Sequence, residues 1–117
     1  MTEEKLARTV RVAVLVDLYG ELLTHGQLRM VKLYFDEDLS FGELAEEFQV
    51  SRQAVHETVR RAVESLEDYE RKLGLMKRLE SQRALLERLE AELAGVPLGP
   101  AADRLRAIMD EFREELS

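Results

Sequence analysis

Three helix starts stand close together in the middle of this chain of 117 residues, and their spacing restricts its possible folds more than any other feature. Thr24 is followed three residues later by Gln27, and Ser40 three residues later by Glu43. Each pair is a capping box, in which the hydroxyl accepts a free backbone N–H and the longer side chain reaches back to the cap's own N–H. Leu23 with Leu28 and Leu39 with Leu44 stand where hydrophobic staples belong. Ser51 repeats the pattern with Val50 and Val55 as its staple, although Ala54 fills the box position. Helices are therefore expected to start at 24, 40 and 51. Asp36-Glu37-Asp38 then falls in the loop after the first, and Gln49-Val50-Ser51 alone separates the second from the third.

Two short helices joined by so tight a turn make a helix-turn-helix. Leu44, Ala45 and Phe48 are expected to face inward, with small Ala45 allowing a close crossing and Val50 plugging the turn. From Ser51 onward, Val55, Val59, Ala62 and Leu66 recur at i, i+4, i+7 and i+11 and form one buried stripe. That leaves Gln53, Glu57, Arg60, Arg61 and Glu64 outward, His56 at the flank and Arg52 at the exposed N-terminal end. These residue types suit a major groove. Arg52 matches guanine, Gln53 adenine and Glu57 cytosine, while Arg60 and Arg61 can hold phosphates. Ser51 and the free N–H groups behind it can meet another phosphate. The same side chains also read as an ordinary solvated face, since Glu57–Arg61 and Arg60–Glu64 are i,i+4 opposite-charge pairs. From 51 to 64 three Arg stand against two Glu, a net of +1. Contact with duplex DNA is expected to be modest in affinity and steeply salt-dependent. A surface that docks protein or RNA is one alternative, and a purely structural homodimer is another.

Charge and composition narrow the field. Lys plus Arg is 17 and Asp plus Glu 24, a net of −7, so no overall basic footprint for nucleic acid exists and any contact must be local. Cysteine is absent, which removes disulfides, thiolate nucleophiles and thiolate zinc sites together. The most apolar run, residues 10–23, is interrupted by Arg11, Asp17 and Glu21 and falls short of the roughly 20 apolar residues a bilayer span requires. Glu3 and Glu4 precede it where a signal peptide would carry cations. A cytoplasmic protein with no membrane insertion is expected. Because this run is apolar on more than one side, it is expected either to pack on two sides within one small domain or to present Val10, Val14, Leu15 and Leu18 as the seam of a homodimer.

The C-terminal third carries two further apolar stripes. Gly74 could end the preceding helix as a left-handed cap, or be carried inside a longer one. Leu79, Leu86, Leu89 and Leu93 form the first stripe, with Gln82 in its middle. Leu105, Ile108, Met109, Phe112 and Leu116 form the second, beyond the Pro97–Pro100 break. An antiparallel hairpin or a dimer arm follows, giving a helical domain over 1–79 and a helical extension over 80–117. The extension holds five basic and nine acidic residues, which argues against nucleic acid at that end. Catalysis and cofactors are not expected. His25 and His56 lack any partner at metal-ligand spacing, Asp36-Glu37-Asp38 lacks the alternating ligands and central glycine of a calcium loop, and no strand precedes a glycine-rich phosphate loop.

The segments DLYGELLT (17–24), YFDEDLSFGELAEEFQVSRQAVHETVRRA (34–62) and LEDYERKLGL (66–75) resemble the YlxM family of small bacterial helix-turn-helix proteins. The likeness runs from about Leu6 to Leu79, and its central segment is also similar to the promoter-reading region 4 of sigma factors. The resemblance implies an all-α, cytoplasmic, dimeric protein whose DNA-binding motif has no winged element. It places the recognition helix from Ser51 to about Leu66, with Ser51, Arg52, Gln53, His56 and Arg60 on its surface. It also implies a role in, or modulation of, the signal recognition particle pathway, beside whose genes those of the family typically sit. One departure stands out. Such turns commonly carry Gly where this sequence has Gln49, at a modest strain cost.

Overall fold

The computed structural model describes residues 2–117. Thr2 caps the first helix, α1 (Glu3–Tyr19), by accepting the Lys5 N–H. A single 3-10 turn, Gly20–Leu22, leads into α2 (His25–Phe35), which is followed by α3 (Phe41–Phe48) and α4 (Arg52–Leu73). The chain ends in α5 (Leu75–Ala94) and α6 (Pro100–Glu115). No strand occurs among the described residues, so the chain is all-α as the capping pattern requires. Both capping boxes form. Thr24 Oγ1 accepts from Gln27 N at 3.2 Å while Gln27 Oε1 accepts from Thr24 N at 3.1 Å. Ser40 and Glu43 repeat the exchange at 3.1 Å each way. Pro100 stands at the start of α6, where its missing N–H costs nothing.

Two compact units divide the chain, Met1–Met76 and Lys77–Ser117. The core of the first has two parts. One gathers Val12, Leu15 and Tyr19 of α1 with Leu23, Val31, Ala62 and Leu66. The other joins Met30, Leu44, Val55 and Val59, with Phe41, Ala45 and Phe48 packed around them. Phe35 and Val63 pack against both. The stripe Val55, Val59, Ala62 and Leu66 is buried along its whole length. Helix α4 is thus the spine on which α1, α2 and α3 are assembled.

This packing takes Leu15 out of the seam expected on α1. Leu15 is 0% exposed inside the chain's own core, and Leu18 packs partly against it. Leu15 is closed to a second copy, while Leu18 is half-buried. Val10 is 55% exposed and Val14 partly so, on the far side of the helix. The helix is two-faced, as its composition demands, but the stripe of Val12, Leu15 and Tyr19 takes the inner side.

Gly74 is a left-handed cap, with φ 65°, and its N–H reaches the Glu70 carbonyl at 2.8 Å. Helix α5 starts at the next residue, and its first N–H groups are met by side chains from elsewhere. The Tyr19 hydroxyl accepts from Leu75 N at 3.1 Å and donates to Glu70 Oε1 at 2.7 Å. Glu70 Oε1 also accepts from Met76 N at 2.9 Å. Burial, then the hydrogen bond to Glu70, raises the Tyr19 pKa above the ordinary phenol value of 10.0. Tyr19→Phe deletes a charge-assisted hydrogen bond and strands the Leu75 N–H, so a loss of about 2 kcal/mol is expected in urea unfolding. Because the folded pKa is raised, the phenol's contribution is complete below pH 10.0 and fades only as pH climbs through the higher folded value. The gap between wild type and Tyr19→Phe should therefore stay constant from pH 6 to 9, to within roughly the error of extrapolation.

In the second unit, α5 and α6 run antiparallel. Arg113 pairs with Glu90, and Arg83 Nη2 donates to the Leu116 carbonyl at 3.3 Å. Leu86, Leu93 and Ala102 are its buried apolar residues. The two stripes expected here are only half used. Leu89 on α5 and Leu105, Ile108 and Phe112 on α6 are exposed. The helices meet along Leu86 and Leu93 of the first stripe, with Met109 and Leu116 of the second half-buried, and the other side of each stripe is left open.

Candidate nucleic-acid interface

The turn between α3 and α4 closes through its backbone. Gln49 adopts the left-handed region with φ 55° and ψ 48°, at a cost of about 1 kcal/mol relative to Gly. That conformation lets Val50 N reach the Ala45 carbonyl at 3.0 Å. The Val50 side chain, expected to plug the turn and to staple Val55, is instead 43% exposed. A glycine-type cap had replaced the plug. Ser51 then starts α4 by accepting the Ala54 N–H at 3.0 Å.

With Val55 and Val59 turned inward, Ser51, Arg52, Gln53 and His56 lie exposed together on the first turns of α4. Arg52 has no carboxylate partner among the described residues. Its guanidinium lies across the start of α3, over Gly42, where an added Cβ would come within 2.9 Å of Nη2. His56 meets the ring of Phe41 edge-on at 5.4 Å, and Phe41 stacks on Tyr34 at 4.8 Å. Both devices orient exposed polar groups by packing them on small or aromatic surfaces, and sequence reasoning missed both. Gly42, inside the first turn of a helix with no positive φ to explain it, was the available signal.

One turn further on, the electrostatics change. Glu57 accepts from Arg60 Nη2 at 2.6 Å and Nε at 3.2 Å, and from Arg61 Nε at 2.8 Å. Arg60 Nη1 also reaches Glu64 at 2.9 Å. The hydrogen bonds from Arg60 and then Arg61 hold the Glu57 carboxyl well below its ordinary range, at about 2. The carboxylate is charged at every working pH, and the two arginines expected on phosphates are engaged on their own helix. This makes the salt dependence of the resting surface shallower than three unpaired arginines would give. Arg29 is likewise paired with Glu47 at 2.8 Å while lying over the Phe48 ring. Among the described residues no cluster of His, Cys, Asp or Glu is grouped to hold a metal, and no helix is long and apolar enough to cross a membrane.

A tight α3–α4 pair with an exposed polar second helix, built on an all-helical core, defines a helix-turn-helix protein. Residues 6–96 match the family model described as "Putative helix-turn-helix protein, YlxM / p13 like". The chain belongs to this family, whose curated members carry the name UPF0122. It is 48% identical over 86 residues to the UPF0122 protein of Listeria monocytogenes, covering 74% of this chain and 78% of the relative. Identity to the Geobacillus kaustophilus UPF0122 protein is 46% over 85 residues, or 73% and 77% of the two chains. The Desulforamulus reducens member is 42% identical over 95 residues, 81% of each.

Proposed function

We propose that this chain is a cytoplasmic, homodimeric regulatory protein that contacts duplex DNA through the first turns of α4. The observation that supports it best is the open group of Ser51, Arg52, Gln53 and His56 beside the neutralised Glu57, Arg60 and Arg61. Arg52 is the cation free to reach a base edge, and its seat over Gly42 limits the freedom it loses on binding. Gln53 is the amide donor and acceptor beside it, and the α4 N-terminus offers free N–H groups to a phosphate. Glu57 serves as an acceptor that keeps Arg60 and Arg61 from holding any sequence strongly. Sequence selection from a random duplex library, followed by fluorescence anisotropy, tests the reading. Arg52→Ala should weaken binding to the selected duplex about tenfold, the size of one bidentate base contact, and leave random duplex less affected. Equal binding of both duplexes by both proteins would remove sequence readout.

One observation favours a second reading. With Arg60 and Arg61 tied to Glu57 and a chain net charge of −7, the exposed face carries little free positive charge. An adaptor that binds a protein of the signal recognition particle needs less, whereas binding to the particle's RNA would need as much as DNA does. Co-sedimentation of the purified chain with the particle's protein, and separately with its RNA, distinguishes the two. Absence from both complexes counts against the adaptor.

A further inference from the structure

Four arginines lie on α4, and one of them is held in a different way. Arg60 and Arg61 are tied to Glu57, and Arg71 to Asp68, so each is oriented by a carboxylate that also cancels its charge. Arg52 is exposed and has no hydrogen bond or ion pair among the described residues. Its guanidinium is placed by shape instead. An added Cβ at Gly42, in the first turn of α3, would stand 2.9 Å from Nη2, 3.2 Å from Cζ and 3.3 Å from Nε of Arg52. These are the atoms it would meet first, and the shortest distance is inside van der Waals contact.

Backbone conformation does not call for this glycine. Gly42 is helical with no positive φ, and glycine is a poorer helix former than alanine. Gly26 provides the comparison within the same chain. It holds the second helical position behind the Thr24 cap, as Gly42 does behind Ser40, but a Cβ there would meet nothing within 4 Å. Two glycines thus occupy equivalent places in two capping boxes, and only one lies under a cationic side chain of the candidate interface.

We infer that Gly42 is a specificity-determining residue of the interface, which supplies no contact itself and positions Arg52 by lacking a side chain. The inference rests on the DNA reading above and names the residue that makes Arg52 selective. A carboxylate could orient the guanidinium equally well. It would have to be displaced when a base edge takes the donors, and its charge would oppose the neighbouring phosphates. Glu57 shows that arrangement one turn further along the same helix, where it occupies both Arg60 and Arg61. A bare Cα orients by contact alone and leaves the charge and the N–H donors of Arg52 available. Bidentate pairing fixes both the plane and the direction of a guanidinium, so its resting place matters. A methyl at 42 lifts the group off α3 by about 0.5 to 1 Å, to ordinary contact distance, and removes the ledge that holds it.

Gly42→Ala and Gly26→Ala in the full chain, each alone and each combined with Arg52→Ala, test this. Thermal melts are read beside fluorescence anisotropy on the duplex selected by the wild type and on random duplex. Both alanines should raise the melting temperature by about 2 to 5 °C, because each improves a helix at a site the fold does not resist. Gly42→Ala should nevertheless lower the preference for the selected duplex by about threefold to tenfold, up to the whole effect of Arg52→Ala. Its binding to random duplex should stay within about twofold of wild type, since the phosphate contacts are untouched. Gly26→Ala should leave both affinities unchanged. Added to Arg52→Ala, Gly42→Ala should cost no further preference, because no guanidinium is left to place. A Gly42→Ala protein that keeps the wild-type preference overturns the inference and leaves the DNA reading standing. So does a fall in its melting temperature, or a further loss of preference on top of Arg52→Ala, since either puts the burden of the Cβ on α3 itself. A wild type that binds selected and random duplex alike removes both.

Discussion

Glu57→Gln is expected to tighten binding to duplex DNA, by an amount that grows as salt is lowered. In the resting protein one carboxylate accepts from both Arg60 and Arg61, and its pKa of about 2 keeps it charged. The neutral amide retains the shape but not the charge. Arg61 is then released, and Arg60 keeps only Glu64. One to two additional phosphates become available, which steepens the slope of log K against log salt by roughly 0.9 to 1.8. Between 200 and 50 mM salt, that difference amounts to about three- to twelvefold in affinity for random duplex. Anisotropy titrations at four salt concentrations read the slope directly. Lowering the pH from 8 to 5 should not reproduce the effect through this group. The carboxyl loses its charge only near pH 2, so the substitution is needed to release the arginines. An unchanged slope would remove Arg60 and Arg61 from the DNA surface. It would leave the adaptor reading stronger, because a partner protein has no use for two freed guanidiniums at that position.

The parts of the fold that local chemistry decides were legible before any coordinates. A capping box is a relation between residues three apart, so Thr24–Gln27 and Ser40–Glu43 can be read from the chain and are present. The stripe Val55, Val59, Ala62 and Leu66 is likewise a local periodicity, and it alone places Arg52, Gln53 and His56 outward. What stayed hidden depends on residues far apart. Helix α1 carries apolar residues on both sides, and period cannot say which side meets its own core; Leu15 went in and Val10 stayed out. The two C-terminal stripes pose the same ambiguity, and there Leu89 and Ile108 remained exposed. Val50 illustrates another kind of miss. A β-branched residue in a tight turn suggests a plug, but once Gln49 takes the left-handed conformation the backbone closes the turn and the side chain turns to solvent. The Tyr19–Glu70–Leu75 junction joins groups some 50 residues apart, and no local pattern encodes it.

The division of the first unit into two packed clusters has a consequence for the candidate site. Helix α3 has eight residues, too few to persist without packing, and Leu44 is its one fully buried side chain. Leu44 sits among Met30, Val55 and Val59, which makes it the pin between α3 and α4. Leu44→Ala is expected to cost about 3 to 4 kcal/mol, the transfer term plus the cavity it leaves. Leu15→Ala, in the cluster built on α1, should cost a similar amount. Against a total of roughly 5 to 15 kcal/mol, either loss is severe. The two should differ in where it is felt. Phe35 and Val63 link the clusters, so both variants should unfold cooperatively in urea. Below that transition, Leu44→Ala should speed hydrogen exchange of the α3 amides selectively, because Leu44 is the one fully buried side chain of α3. Leu15→Ala should raise exchange across the unit in parallel with its global stability. DNA affinity should fall in Leu44→Ala by more than its unfolded fraction explains, since Gly42 and Phe41, on which Arg52 and His56 rest, move with α3. Uniform exchange in both variants, with binding lost only in proportion to unfolding, would mean that the helix-turn-helix has no independent seat and that Leu44 contributes to the core alone.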